Sequence, residues 1–220
     1  MNIGLLGFGV VGGGVWELAQ ENRALNVKKV LVRREAPSLG KAAVQDVEAI
    51  LRDTEIDTVV EVLGGLHPAY EWICRALAAG KDVVTANKAV ISAYYRELTA
   101  LARENGVALR CTAAVGGGIP WLVNLQRCRR VDTVTEVGGI MNGTTNFIMD
   151  AMARQGADFP AVLQRAQELG YAEADPSADI DGDDIRRKLT ISANIAFDAL
   201  LREEDIPAFG IRTVTGADVA

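Results

Sequence analysis

Short apolar runs alternate with longer amphipathic stretches through the first half of the chain. The apolar runs are rich in β-branched residues and end at glycine or polar residues, which predicts strands. They read NIGLLGFG, VKKVLVRR, IDTVVEVLGG, DVVTANK and VALRCTAAV. The stretches GGGVWELAQENRAL, AVQDVEAILRDTE, PAYEWICRALAAGK and YYRELTALARENG carry apolar residues at helical spacing. Because strands that alternate with helices form parallel sheets, the pattern predicts an α/β fold with a Rossmann-type, doubly wound sheet.

The pattern changes after GGGIPW. VDTVTEVGGI predicts a further strand, and the helical patterns FIMDAMARQG, FPAVLQRAQELG and DDIRRKLTISANIAFDALL follow it. We therefore predict two domains, residues 1–118 with the parallel sheet and residues 119–220 with a smaller α+β arrangement. The closing IPAFGIRTVTGADVA is typical of a connection toward further structure, so the second domain is expected to be incomplete.

Composition and charge narrow the classes of function. The formal net charge of −6 argues against a nucleic-acid partner or an anionic membrane surface. The longest apolar runs fall short of the roughly 18 residues that a membrane span needs. The cysteines Cys74, Cys111 and Cys128 are widely spaced and odd in number, which indicates reduced thiols in a cytoplasmic protein and disfavours a zinc site.

Gly7, Gly9 and Gly12 form a GFGVVG motif between the first predicted strand and the first predicted helix. In this context Gly7 allows a tight turn, Gly9 lets the backbone approach a pyrophosphate, and Gly12 lets the helix pack closely on the strand. The helix N-terminus adds free N–H groups and partial positive charge. The motif predicts a dinucleotide-binding first domain.

The end of the second predicted strand bears on which dinucleotide is bound. NAD sites usually place an acidic residue there for the ribose hydroxyls, whereas this strand ends with Arg33 and Arg34. Guanidinium groups suit a 2′-phosphate, so the pattern favours NADP. Glu35 is a competing acid that keeps NAD possible, and a solvated basic turn is the alternative reading.

Lys88 follows another apolar strand, after Asn87. Ligands of parallel sheets bind beyond the carboxyl ends of the strands. Gly64 and Gly65 end the neighbouring strand at the same edge, so Lys88 is placed to reach a nicotinamide or a substrate oxygen. A solvated turn residue is the alternative.

The stretch YAEADPSADIDGDDIRRK, residues 171–188, is dense in carboxylates. They either cap a basic helix in solvent or form a pocket that holds an ammonium group beside Lys188. Asp184 and Lys188 are four residues apart and share a helix face.

Several motifs carry a resemblance to a known family. GFGVVGGGV, EVLGG, AGKDVVTANKAVIS, AAVGGGIP, GIMNGTTNFI and ELGYAEADPSADIDGDDIRRKL occur in the order found in homoserine dehydrogenases. The chain resembles this family over almost its whole length. The resemblance implies reduction of L-aspartate 4-semialdehyde to L-homoserine with NADPH or NADH, a branch step toward threonine and methionine.

The resemblance also implies roles for individual residues. Lys88 and Lys188 match the active-site lysines, with Lys188 as proton donor. Glu173 and Asp184 match the residues that hold homoserine, and Asp179, Tyr171 and Thr144 line the same pocket. Phe8, Val10 and Val11 fall on the cofactor loop, Gly170 matches a cofactor contact, and Arg33 matches the 2′-phosphate position. Residues 119–220 then form the substrate-binding and dimerisation domain.

Two departures qualify what the resemblance implies. Thr112 stands where the family commonly has a glutamate that helps bind sodium, which leaves the backbone carbonyls of Val115, Gly117 and Ile119 as a weakened site. Family cores also usually continue further, so we expect a short form whose exposed edges a homodimer covers. The alternatives are a catalytically silent NADP-binding or regulatory homologue and a dehydrogenase for a related amino-acid aldehyde.

Overall fold

The structure is a computed structural model that describes residues 1–219. The chain forms two compact units, Met1–Asn124 and Leu125–Ala220. The predicted boundary after Gly118 lies slightly earlier in the chain and stays a prediction. Among residues 1–219, no helix is long and apolar enough to cross a membrane.

The first unit is built on a parallel sheet. Its strands are β1 (Asn2–Leu6), β2 (Asn26–Leu31), β3 (Ala43–Val44), β4 (Thr58–Glu61), β5 (Asp82–Thr85) and β6 (Leu109–Arg110). They lie in the order β3-β2-β1-β4-β5-β6, and each neighbouring pair is parallel. This is the order of a dinucleotide-binding doubly wound sheet, so the predicted α/β Rossmann-type fold is confirmed.

Helices follow most of the strands of the first unit. They are α1 (Val10–Glu21), α2 (Glu48–Leu51), α3 (Ala69–Ala78), α4 (Lys88–Glu104) and α5 (Trp121–Cys128), whose last residues belong to the second unit. The apolar residues of the central strands, including Ile3, Leu5, Val30 and Val60, form the core on which α1 packs through Ala19. The carboxyl ends of β1, β4 and β5 meet at one edge because Leu6, Glu61 and Thr85 are in register.

The helix predicted over AVQDVEAILRDTE is largely wrong. Its first residues form β3, and only Glu48–Leu51 is helical. The physical reason is local, since aspartates on both sides bind the backbone in turns. The Asp46 carboxylate accepts the Glu48 N–H at 2.9 Å, and the Asp53 carboxylate accepts the Glu55 N–H at 3.0 Å. Such side-chain bonds compete with a continuous helix.

The second unit is helical over its regular elements among the described residues. It contains α6 (Gly143–Gln155), α7 (Phe159–Glu168), α8 (Ser177–Ile180), α9 (Asp183–Phe197) and α10 (Gly216–Val219). Ile148 and Met152 of α6, Val162 of α7 and Ile180 of α8 form its core. Residues 209–212 return to pack on the turn between α8 and α9.

The strand predicted over VDTVTEVGGI is not formed, and residues 134–140 are irregular. Val131 and Ile140 at its two ends are exposed. A strand needs a neighbouring extended segment to satisfy its backbone hydrogen bonds. Within the described part of the second unit no other strand offers one.

Candidate active site

A cavity of about 980 Å³ opens at the carboxyl edge of the sheet in the first unit. The segments that follow β1, β2, β3 and β4 line it, together with Trp72 of α3. The lining residues are Gly7, Phe8, Gly9, Leu31, Val32, Arg33, Arg34, Glu35, Ala36, Gln45, Val62, Leu63, Gly64, Pro68 and Trp72. The size and the position beyond the strand ends suit a nucleotide-sized ligand.

The three glycines after β1 meet three different geometric demands. Gly7 has a φ of +107°, which disfavours a residue with a side chain. A Cβ on Gly12 would lie 2.3 Å from the Gly7 carbonyl oxygen, so only glycine lets α1 approach the loop this closely. A Cβ on Gly9 would meet no described atom within 4 Å, so its missing side chain leaves open space at the cavity. This arrangement fits a pyrophosphate at the N-terminus of α1.

The remaining cofactor residues predicted from the sequence lie around this loop. Phe8 lines the cavity and packs edge-on against Trp16, with ring centroids 6.5 Å apart. Val10 and Val11 form the first turn of α1 and are exposed. Their contact with a cofactor stays a prediction.

The basic and the acidic residues that follow β2 both line the cavity. Arg33, Arg34 and Glu35 all line it, and all three are exposed. The guanidinium groups suit a 2′-phosphate, while the Glu35 carboxylate suits a 2′-hydroxyl. The geometry supports a dinucleotide with an adenosine ribose at this end, and the preference between NADP and NAD stays a prediction.

Lys88 begins α4, and Ala86 and Asn87 separate it from the end of β5. Asn87 caps this helix, since its side-chain oxygen accepts the Val90 N–H at 3.2 Å. The Asn87 amide also donates to the Gly65 carbonyl at 2.7 Å and to the Glu61 carboxylate at 3.4 Å. The position of Lys88 therefore depends on a polar network at the strand ends.

Glu61 is the centre of that network, and sequence reasoning did not single it out. It is fully buried at the last position of β4. The only sequence signal is an acidic residue inside the apolar run TVVEV, which is unusual because unpaired charges are costly to bury.

A second polar cluster lies in the second unit around Lys188. The Lys188 ammonium donates to the Asp184 carboxylate at 2.6 Å and to the Met141 carbonyl at 2.6 Å. The Asn142 amide donates to Asp184 at 2.8 Å and to Asp179 at 2.7 Å. Asp184 is buried, and Lys188 supplies an opposite charge within this cluster. The arrangement can hold an ammonium donor in a fixed direction next to a polar substrate.

Thr144 and Tyr171 extend the same cluster. The Thr144 hydroxyl lies 2.9 Å from the Asp179 carboxylate and 2.6 Å from the Tyr171 carbonyl oxygen. The Tyr171 ring stacks on Phe147 of α6, with centroids 4.5 Å apart. The structure thus brings together four of the predicted residues, Lys188, Asp184, Asp179 and Thr144, with Tyr171 at their edge. Asn142, which links both aspartates, was not predicted.

Comparison with known proteins decides the family. Residues 7–112 match the family model described as "Homoserine dehydrogenase, NAD binding domain", and residues 120–220 match the model "Homoserine dehydrogenase". The chain belongs to the homoserine dehydrogenase family. A homoserine dehydrogenase from Synechocystis sp. is 44% identical over 100% of this chain and 54% of its own length.

Solved homoserine dehydrogenases share the structure as well. The crystal structure of the enzyme from Thiobacillus denitrificans superposes with a TM-score of 0.93 at 40% identity, covering 100% of this chain and 54% of that one. A hyperthermophilic archaeal homoserine dehydrogenase in complex with NADPH has a TM-score of 0.83 at 27% identity, covering 98% of this chain and 75% of that one. The chain spans about half the length of the curated relatives it matches.

Other carboxylates of the acidic stretch serve structure in this homoserine dehydrogenase family member. Asp175 accepts the Ser177 N–H at 3.1 Å, and hydrogen bonds from Ser177 lower the pKa of Asp175. Arg212 forms a two-pronged ion pair with Asp181, which lowers the pKa of Asp181. Asp183 lies in the first turn of α9, where a negative charge is favoured. The capping interpretation therefore accounts for part of the stretch, beside the pocket.

Residues 209–212 hold the acidic loop through its backbone. The Ile211 N–H donates to the Ile180 carbonyl at 2.8 Å. A Cβ on Gly210 would lie 2.7 Å from that same carbonyl oxygen and 2.9 Å from the Asp181 Cα. Glycine at position 210 is therefore required for this contact, which supports the loop that carries Asp179 into the Lys188 cluster.

Glu173 and Gly170 are the predicted residues that the structure leaves apart from the Lys188 cluster. Glu173 is exposed, and its backbone carbonyl accepts from the Gln167 amide at 3.1 Å. Gly170 follows the C-cap of α7 and has a φ of +78°. Their substrate and cofactor contacts stay predictions.

The loop predicted to bind sodium already uses some of its backbone groups in hydrogen bonds. The Ile119 carbonyl already accepts the Trp121 N–H at 2.7 Å, and the Ile119 N–H donates to the Gly116 carbonyl at 2.9 Å. Val115 is buried, and Thr112 supplies no charge. Within residues 1–219 there is also no group of three His, Cys, Asp or Glu side chains that could hold a metal ion. Without a charged ligand the site is weakened, and sodium binding through the backbone carbonyls of Val115, Gly117 and Ile119 stays a prediction.

Proposed function

We propose that this chain carries the active site of an NADPH-dependent homoserine dehydrogenase that interconverts L-aspartate 4-semialdehyde and L-homoserine, in threonine and methionine biosynthesis. The observation that carries the proposal is the Lys188 ammonium, fixed at 2.6 Å from both Asp184 and the Met141 carbonyl inside a polar cluster. Membership of the family and the glycine loop with its cavity support the same reaction.

Lys188 is the proton donor in this proposal. When the aldehyde is reduced, negative charge develops on its oxygen, and an ammonium group nearby stabilises that charge and supplies the proton. Asp184 lies one helical turn before Lys188, and the ion pair between them fixes the direction of the ammonium group. Asp179 and Thr144 offer hydrogen-bond partners to the polar end of the amino acid, and Glu173 is assigned to its α-ammonium.

The first unit holds the cofactor, which supplies the hydride when bound. Gly7, Gly9 and the N-terminus of α1 receive the pyrophosphate, with Gly12 keeping α1 close to the loop. Arg33 and Arg34 receive the 2′-phosphate, and Gly64 and Lys88 border the nicotinamide. We expect the ratio of kcat/KM values for NADPH over NADH to exceed one. A ratio below one would assign the site to NAD through Glu35.

The direct test follows NADPH absorbance with L-aspartate 4-semialdehyde and the purified chain. Lys188→Ala is expected to lower kcat by about 10²- to 10⁴-fold, because it removes the proton donor, while NADPH affinity stays within about twofold. Lys41→Ala, an exposed lysine of the first unit, is the control.

Each result of this test separates the candidates. NADPH binding without turnover of any amino-acid aldehyde would favour a silent NADP-binding homologue. Turnover of a related aldehyde in preference to the semialdehyde would reassign the substrate. An equal loss of NADPH affinity in Lys188→Ala would contradict the role of Lys188.

A cytoplasmic homodimer completes the proposal. The free cysteines Cys74, Cys111 and Cys128 suit a reducing compartment. Val131, Ile140 and Phe209 expose apolar surface on the second unit, which a second copy would cover. Light scattering after size-exclusion chromatography measures the oligomeric state, and a monomer at micromolar concentration would contradict this part.

A further inference from the structure

Glu61 is a buried carboxylate that the proposed reaction does not use. It ends β4 and has no exposed surface among the described atoms. Its oxygens accept the Leu63 N–H at 2.8 Å, the Thr85 hydroxyl at 2.5 Å and the Asn87 amide at 3.4 Å. These three donors are neutral, so hydrogen bonds alone must offset the cost of removing the carboxylate from water. A side chain that served packing alone would not need this charge.

The donors come from three different segments, which gives the carboxylate its connecting role. Leu63 lies in the loop after β4, Thr85 ends β5, and Asn87 caps α4. Thr85 also accepts the Asn87 N–H at 2.9 Å, so these two residues are tied to each other as well. Leu63 and Asn87 both bond Oε1, whereas Thr85 bonds Oε2, so a glutamine could keep the first two bonds through its single oxygen, and only a side chain without an acceptor, such as methionine, removes all three.

The segments that Glu61 connects are parts of the proposed cofactor site. Leu63 and Gly64 line the cavity, and Gly64 and Gly65 have φ values of +77° and +74° with open space around them. Glycines in open space do not define a loop conformation by packing. The loop is instead held at Leu63 by Glu61 and at Gly65 by Asn87. The same Asn87 fixes the first turn of α4, where Lys88 stands.

We propose that Glu61 is a positioning residue for the cofactor site, acting through the 63–65 loop and through the Asn87 cap that places Lys88. The inference rests on the proposed function for the identity of the cofactor. It makes Glu61 responsible for the shape of the nicotinamide end of the site, separately from its share in the stability of the sheet.

The first unit offers a matched control at the opposite end of the same strand. Asp57 precedes β4 and accepts a backbone N–H, from Asn2 at 3.0 Å, and a threonine hydroxyl, from Thr58 at 2.8 Å. Asp57 is exposed, so Asp57→Ala removes both of these hydrogen bonds at the other end of the strand without leaving a cavity. Glu61→Met and Asp57→Ala each remove all of a carboxylate's hydrogen bonds, and Thr85→Val and Thr58→Val form a pair of buried threonines matched in burial as well.

The experiment measures NADPH dissociation constants by fluorescence titration, melting temperatures, and hydrogen exchange of the Leu63 amide. Glu61→Met is expected to weaken NADPH binding by about 10- to 100-fold and to speed exchange at Leu63, because the loop loses its anchor. Asp57→Ala is expected to lower the melting temperature while NADPH affinity stays within about twofold. Thr85→Val should follow Glu61→Met, and Thr58→Val should follow Asp57→Ala.

The outcomes separate this inference from the proposed reaction. Equal affinity losses in Glu61→Met and Asp57→Ala, or an unchanged affinity in both Glu61→Met and Thr85→Val, would overturn the positioning role. Should Glu61→Met fail to fold, Thr85→Val decides. A wild-type protein that binds NADPH without reducing the semialdehyde would refute the reaction and leave the Glu61 comparison intact, because its readouts need no aldehyde.

Discussion

Two adjacent glycines of α1 provide a sharp test of the site geometry. Gly12→Ala places a Cβ 2.3 Å from the Gly7 carbonyl oxygen, so the helix and the loop must separate by about 1 Å to reach ordinary contact. Gly13→Ala adds the same methyl group where no described atom lies within 4 Å. The two variants add the same methyl group, but we expect Gly12→Ala to lower the stability of the protein and Gly13→Ala to raise it.

The magnitude follows from two terms. Alanine is favoured over glycine in a helix by about 1 kcal/mol, and both variants gain this term. Gly12→Ala also pays the cost of overpacking against backbone, about 3 kcal/mol at the upper end of the usual range. The propensity term cancels in the difference, so the variants should differ by about 3 kcal/mol. In a chain of this size that corresponds to melting temperatures roughly 6–12 °C apart.

Calorimetry and NADPH titration test this expectation together. Gly13→Ala should melt above the wild type and bind NADPH normally, whereas Gly12→Ala should melt below it and bind weakly, because the loop opens. Equal melting temperatures for the two variants would refute the reasoning. So would a Gly12→Ala protein with wild-type affinity, since the turn would then tolerate displacement of α1.

Two further predictions concern a buried thiol and the loop that residues 209–212 support. Burial raises the pKa of Cys111 from its ordinary 9.0 to about 11, so the folded state keeps its proton longer than the unfolded state. The free energy of unfolding should therefore fall by on the order of 2–3 kcal/mol between about pH 9 and pH 11. The melting temperature of Cys111→Ala should fall less steeply over that range than the melting temperature of the wild type. Parallel curves for the two proteins would contradict this. Gly210→Ala forces a Cβ to 2.7 Å from the Ile180 carbonyl and should raise KM for the semialdehyde about tenfold with NADPH affinity unchanged. Gly216→Ala, where a Cβ meets no described atom within 4 Å, should leave KM unchanged, and similar KM values for the two variants would refute the supporting role of Gly210.

The sheet of the first unit could be predicted because its signals are local and repeated. Each central strand is a short β-branched run that ends at glycine or a polar residue, and the glycine motif marks where the first strand turns into α1. The prediction failed where side chains bind the backbone nearby, as Asp46 and Asp53 do around α2. It also failed at residues 131–140, because an extended run becomes a strand only beside a partner, which one sequence does not reveal.

The candidate site shows the same division. Lys188 and Asp184 could be paired in advance because they lie one helical turn apart. Asn142 joins Asp179 and Asp184 across 37 and 42 residues of chain, and no local pattern signals such a contact. Glu61 was missed because an acidic residue inside an apolar run indicates a costly buried charge, but the sequence does not show which groups donate hydrogen bonds to it. Long-range polar networks are therefore the part of a site that sequence reasoning resolves least.

The donor and its carboxylate share α9, and this arrangement has a mechanical consequence. If α9 tilts or slides as a rigid body, Lys188 and Asp184 move together and the distance between them stays the same. The distances that change are those to Met141 and Asn142, which lie on a different segment. A small shift of α9 would therefore change the direction of the ammonium group without separating it from its carboxylate partner.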